Sequence, residues 1–216
     1  MRNMKKRVVF FAVMAGVLVC FAGCKKDGGT ATEAGAAAKT KATMLVTAEQ
    51  KLQITYQEAF DKEHYKEEEL RAAVTQELQE FNTSISNEQG AVMDSLTVAD
   101  GNASLKITFA DFDTYTKYAN EYVDAESDVK VFVGTASEAS AAGYDIPASL
   151  KDKDGNAVTK DAVELTDDCI VIYTNEAQKL YVDGDCKYYS ESVQVKDGLA
   201  TVEEGKDNYL IYQKKK

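Results

Sequence analysis

The apolar and polar positions of this chain change period several times, and each change marks an element. Leu52, Ile54 and Tyr56 alternate with Gln53, Thr55 and Gln57, which predicts a strand buried on one face. From Lys66 the spacing shifts to three and four. Leu70, Val74, Leu78, Phe81 and Ile85 form a helical stripe, and Glu67, Glu68 and Glu69 sit in the first turn, where the helix dipole favours anions. A hairpin follows, with strand-like segments Met93–Ala99 and Ala103–Ala110 around the turn residues Asp100-Gly101-Asn102. Asp111 suits the N-cap of a second helix, whose stripe is Phe112, Tyr115, Ala119, Tyr122 and Val123, and Val129–Val133 returns to strand character.

This order is β-α-β-β-α-β, so the predicted fold class is α+β. A ferredoxin-like (split βαβ) unit over 51–143 would place both helices on one face of an antiparallel sheet. Thr135 and Glu138 fit a capping box ahead of a short third helix, with Gly143 as its stop. Beyond Tyr144-Asp145-Ile146-Pro147 the chain is strand-rich: 168–173, 179–183, 187–195, 199–203 and 208–213, with Asp-Gly turn signals at 154–155, 183–184 and 197–198. Residues 144–216 therefore read as a β-rich antiparallel domain or an extension of the first sheet.

The first 24 residues have a different character. Arg2, Lys5, Lys6 and Arg7 precede an uncharged run from Val8 to Ala22, and Ala22-Gly23 leads into Cys24. The run is shorter than the ~20 residues of a bilayer-spanning helix and matches a signal-peptide core, so residues 1–23 are expected to be a signal peptide. Phe21-Ala22-Gly23-Cys24 resembles the lipobox of bacterial lipoproteins. The resemblance implies that the Cys24 thiol carries a diacylglycerol and becomes the first mature residue. It also implies that the protein is lipid-anchored on the outer, extracytoplasmic face of the cell membrane, where two or more acyl chains anchor stably. Residues 24–50, rich in Gly, Ala, Thr and Lys at their start, then read as the lipidated cysteine and a flexible tether. More loosely, the segments 60–65, 131–135 and 143–145 resemble surface lipoproteins of Gram-positive anaerobes. Those have no assigned activity, so this implies location and shape only.

Composition narrows the function. Without residues 1–23 the chain holds 21 basic and 36 acidic groups, which disfavours nucleic acid as a partner. Arg71 is the one remaining arginine and His64 the one histidine, so phosphate clamps and histidine-based catalysis have little to work with.

Local motifs are weak. Ser127-Asp128-Val129-Lys130 matches S-x-x-K without the partner motifs of penicillin-binding enzymes. Asp152-Lys153-Asp154-Gly155-Asn156 fails the ligand spacing of a calcium loop and reads better as a hairpin turn. His64 has no second histidine to build a zinc site. No cofactor, metal or catalytic residue is assigned.

Cys169 and Cys186 flank a predicted hairpin in an oxidising compartment, which admits a cross-strand disulfide; the alternative is two partly buried thiols. Tyr173, Tyr181, Tyr188, Tyr189, Tyr209 and Tyr212 either pack within sheets or offer a stacking surface for sugars or peptides. The composition favours a non-catalytic binding or structural module at the envelope, with an unidentified protein or glycan partner. The alternative is a carboxylate-dependent enzyme acting on glycans or peptidoglycan.

Overall fold

Ala42, Met44 and Val46 alternate with Thr43 and Leu45, and this period organises β1 (Lys41–Val46), which pairs antiparallel with β2 (Leu52–Ala59). The computed structural model describes residues 41–62, 65–123, 128–166, 168–176, 178–203 and 205–214. The expected signal peptide, Cys24, the expected tether up to residue 40, His64 and Ser127 lie outside the described residues. The expected tether does not extend to residue 50. Met44 and Val46 are fully buried, and the folded part includes everything from Lys41. The short alternation had been masked by the Thr, Lys and Ala around it.

Next come α1 (Glu67–Ser84), β3 (Ala91–Ala99), β4 (Asn102–Phe109) and α2 (Phe112–Tyr118), which continues into one π-helical turn at Ala119–Val123. The local signals explain each boundary. Leu70, Val74, Leu78 and Phe81 are the buried stripe of α1. Asp100 and Gly101 take φ of 50° and 71° in the tight β3–β4 turn, and the Thr114 amide donates to the Asp111 carboxylate at 2.7 Å to cap α2.

The remaining elements are β5 (Val131–Gly134), α3 (Ala136–Ala141, opened by the Thr135–Glu138 capping box), β6 (Ser149–Asp152), β7 (Ala157–Thr159), β8 (Cys169–Thr174), β9 (Gln178–Val182), β10 (Gly184–Tyr189), β11 (Gln194–Lys196), β12 (Leu199–Val202) and β13 (Asn208–Lys214). Asp183-Gly184 is no hairpin turn. A Cβ on Gly184 would meet the Gln213 carbonyl at 2.4 Å, so glycine here permits β10 to approach β13.

The strands form two sheets in an α+β fold. The first has the order β11-β12-β9-β1-β2-β4-β3 and is antiparallel except where β1 lies parallel to β9. The second, β5-β8-β13-β10-β6-β7, is antiparallel throughout. The segment β2-α1-β3-β4 has the strand order β2-β4-β3 of a split βαβ arrangement, but the described residues do not complete the ferredoxin-like unit. Its last strand, β5, pairs with β8 in the second sheet, and β1 takes the place beside β2. Nor does the chain divide at residue 143. β5 belongs with the later strands, while β9, β11 and β12 join the earlier ones.

The main core lies on one side of the first sheet. Leu52, Ile54, Leu105, Ile107 and Phe109 meet α1 and the tyrosines of α2, with Phe81 against Tyr118 and Phe109 against Tyr115. Val131, Val133, Ile170, Ile172 and Leu210 of the second sheet join the same cluster. The other side of the second sheet holds Phe132, Val171, Tyr173, Tyr209 and Ile211 in a smaller core with Ala139 of α3. This two-sided cover explains why every residue of β8 is buried.

The edge strand β3 is protected by α1. Asn82 accepts from the Ala91 amide at 2.8 Å and donates to the Ala91 carbonyl at 2.9 Å, while Arg71 donates to the Leu96 carbonyl at 2.7 Å. A register shift between Met93 and Ser95 adds an irregularity at Asp94. Such devices keep a nine-residue edge from pairing with another chain. Asn82→Ala strips both groups of Ala91 of their partner, and urea unfolding should show a loss of about 1–3 kcal/mol with an unchanged m-value. A wild-type midpoint would refute this role.

Candidate functional site

Helices α1 and α2 and the second sheet cover one face of the first sheet, and its opposite face is open. Register assigns that face directly. Thr43 and Leu45 of β1 stand beside Thr55 and Gln53 of β2 and beside Lys179 and Tyr181 of β9. Leu199 of β12 pairs with Tyr181 from the far side. Three apolar side chains, Leu199, Tyr181 and Leu45, therefore run across adjacent strands on the solvent side. Tyr181 is 42% exposed.

A depression of about 580 Å³ lies over the Leu45 and Tyr181 end of this stripe, within the range of small-ligand sites. Leu45 and Tyr181 contribute apolar surface to it, with Thr43, Thr55 and Gln53 at its sides and Glu49 and Asp183 at its end. The β1–β2 turn that carries Glu49 is held by the Thr47 amide on the Lys51 carbonyl (3.0 Å), by the Lys51 amide on the Thr47 hydroxyl (3.2 Å) and by a positive φ at Gln50. The Asp183 amide donates to the Val46 carbonyl at 3.2 Å and keeps that residue alongside β1. Gln53 is fixed by its amide donating to Asp94 at 2.9 Å.

Glu49's own backbone amide, and then the Thr47 hydroxyl, hold its carboxyl below the usual carboxylate range. A general acid in glycoside hydrolysis needs the opposite shift.

The sequence did not anticipate two carboxylates bonded to core tyrosines, Glu77 buried and Glu176 half-buried. Glu77 lies on α1 and is 3% exposed; the Tyr118 hydroxyl donates to it at 2.5 Å. Tyr115 donates to Glu176 at 2.6 Å. Burial first, and these carboxylates next, push the Tyr56, Tyr115 and Tyr118 hydroxyls well above their ordinary range. Tyr56, Tyr115, Tyr118 and Glu77 are each at most 3% exposed, so this part of the network lies within the core, and Glu176 lies half-buried at its border. One signal was readable: Glu77 stands three residues after Val74 and one before Leu78, inside the apolar stripe.

The other candidates resolve individually. The Asp152 carboxylate accepts from the Asp154 and Asn156 amides at 2.9 Å each and from the Asn156 side chain at 3.1 Å, and so stabilises the β6–β7 turn. Among the described residues no group of three or more His, Cys, Asp or Glu could hold a metal ion, and no helix is long and apolar enough to cross a membrane. Of the late tyrosines, Tyr173, Tyr189, Tyr209 and Tyr212 are buried, Tyr188 is half-buried and only Tyr181 is open.

Cys169 and Cys186 do not form the expected disulfide. The sequence suggested a β8–β9 hairpin, but β9 leaves for the other sheet, and β13 lies between β8 and β10. Cys169 pairs in register with Gln213 and Cys186 with Tyr212, neighbours whose side chains point to opposite faces. Cys169 belongs to the smaller core, and Cys186 packs against the main one. Two strand spacings separate them by about 10 Å, beyond the ~7 Å that a disulfide tolerates. Both thiols are free.

No family model matches the chain, and no curated protein or solved structure matches it.

Burial pushes the Cys186 thiol up to about 11, so little thiolate forms at neutral pH. Alkylation of a chain lacking residues 1–24 should therefore be slow when folded, and should reach two thiols per chain in denaturant without reductant. A count of zero would restore the disulfide.

Proposed function

We propose that this protein is a lipid-anchored lipoprotein on the extracytoplasmic face of the cell membrane, acting as a non-catalytic binding module. The open face of the first sheet is its contact surface. The observation that carries the binding reading is the depression on that face, with Tyr181 and Leu45 on its floor and polar side chains around it. A sheet face serving solubility alone gains nothing from an exposed tyrosine flanked by two half-buried leucines. What supports the anchor is the basic start, the uncharged run Val8–Ala22 and Phe21-Ala22-Gly23-Cys24. The glycan-cleaving alternative is less well supported, because Glu49 is held ionised and Glu77 lies in the core.

Thermal melts against Ca²⁺, sugars, peptidoglycan fragments and peptides test the binding role. A ligand at 100 Kd adds about 2.7 kcal/mol of stability. One class should raise the melting temperature of the wild type and leave Tyr181→Ala unmoved. An equal rise in Tyr181→Ala would place the site elsewhere, and no rise with any class would end the small-ligand reading.

Cys24→Ala tests the anchor separately. Its product should appear in the soluble fraction or keep its signal peptide. A mature, membrane-bound Cys24→Ala protein would overturn lipidation at that residue.

A further inference from the structure

The open face carries an ordered charge pattern along β9. Lys179 and Tyr181 are exposed while Gln178 and Leu180 are buried, and Asp183 continues the exposed side one step past the strand. Residues two apart on a strand are about 6.7 Å apart, which puts Lys179 and Asp183 about 13 Å from one another. Tyr181 stands midway, paired in register with Leu45. Glu49 reinforces the acidic end, since it lines the same depression as Asp183. Along the strand direction the face thus runs from a cation, over an apolar floor, to two anions, with the exposed Lys51 ammonium acting on Glu49 and leaving Asp183 as the principal anion.

The rest of the face is close to neutral, with Lys106 and Lys196 of the neighbouring strands against Asp94. A polycation is therefore not the natural occupant of this face. A neutral glycan would leave both charged ends unused, and an acyl chain would desolvate them without return.

The complementary ligand is a zwitterion with charges about 13 Å apart and an apolar group between them. An extended chain covers 3.3–3.6 Å per residue, so about four residues span that length. We propose that this face binds short extended peptides of about four residues with free termini. The peptide ammonium meets Glu49 and Asp183, a middle side chain rests on Tyr181 and Leu45, and the terminal carboxylate meets Lys179. Thr43, Thr55 and Gln53 supply donors and acceptors to the peptide backbone. This inference rests on the binding-face reading above and gives it a ligand class.

Calorimetric titration of the full chain in mild detergent with Ala-Leu-Ala-Ala tests it, against the N-acetylated, the C-amidated and the doubly blocked peptide, with chitotetraose as the glycan arm. The free peptide should bind saturably, and each blocked terminus should weaken binding about fivefold, the worth of a well-placed exposed ion pair. Lys179→Gln should abolish sensitivity to C-amidation and keep sensitivity to N-acetylation; Asp183→Asn should chiefly reduce the latter. Melting temperatures equal to wild type check that these surface variants fold, and the blocked peptides test the wild type with no substitution at all. Equal binding of free and doubly blocked peptides would overturn the proposal. So would binding of chitotetraose without any peptide, although the face would then remain a binding surface. If neither the peptides nor the glycan binds and the melts also show no shift, both readings fall.

Discussion

The fold depends on where β1 is inserted. Its six residues pair antiparallel with β2 on one side and parallel with β9 on the other, so one strand joins segments more than a hundred positions apart into one seven-stranded sheet. Without it the ladder would break into β11-β12-β9 and β2-β4-β3, each with a newly unpaired edge. Met44 and Val46 would also leave a core in which both are fully buried. The register of β1 matters as much as its presence. A slip by one residue would turn Thr43 and Leu45 inward and expose Met44 and Val46. That alternation holds the core in place and at the same time sets Leu45 against Tyr181 on the open face.

Polar groups in the interior narrow the ways these layers can pack. Glu77 with Tyr118, and Glu176 with Tyr115, tie α1 and the β8–β9 connection to α2. Leaving a buried carboxylate without its hydroxyl partner costs more than a mismatched methyl group, so such pairs penalise sliding of the helices. Asparagine clasps act similarly at the borders. Asn82 grips both backbone groups of Ala91, and Asn120 does the same for Val129, in each case nine residues ahead. Asn175 accepts from the Lys130 amide and donates to the Asp128 carbonyl across the start of β5. Each clasp replaces ladder bonds at the point where a strand begins.

Much of this architecture could be read from local pattern. The stripe of α1, the Asp100-Gly101 turn, the Asp111 cap and the Thr135–Glu138 capping box act within a few residues, and each lies where its chemistry predicts. Pairing between distant strands leaves no such mark. β5 has the strand character of a ferredoxin-like last strand, yet its partner is β8, a choice made by the second core around Phe132 and Val171. Cys169 and Cys186 looked adjacent because a short segment separates them; β13, arriving from the chain's end, lies between their strands. The open face was legible only in fragments. Gln53 and Thr55 announced a polar side to β2, but its extension over β1 and β9 required the parallel pairing that no local signal carries.

The two sides of the first sheet are therefore under different constraints. On the inner side, apolar alternation, helix stripes and the second sheet all serve burial, and nearly every side chain has a packing reason. On the outer side strand propensity alone would be met by threonine, as at Thr43, Thr55, Thr108 and Thr201. Leu199, Tyr181 and Leu45 depart from that pattern: the two leucines are half-buried and Tyr181 stays 42% exposed. Cross-strand packing of this kind is worth a few tenths of a kcal/mol to about 1 kcal/mol, little beside what the inner face supplies. The stripe also lies beside the two best-defined polar features of the face, the turn carrying Glu49 and the aligned Asp183. Apolar side chains that contribute little to folding, placed beside fixed charges in a recess, are the feature on which the proposed binding role rests.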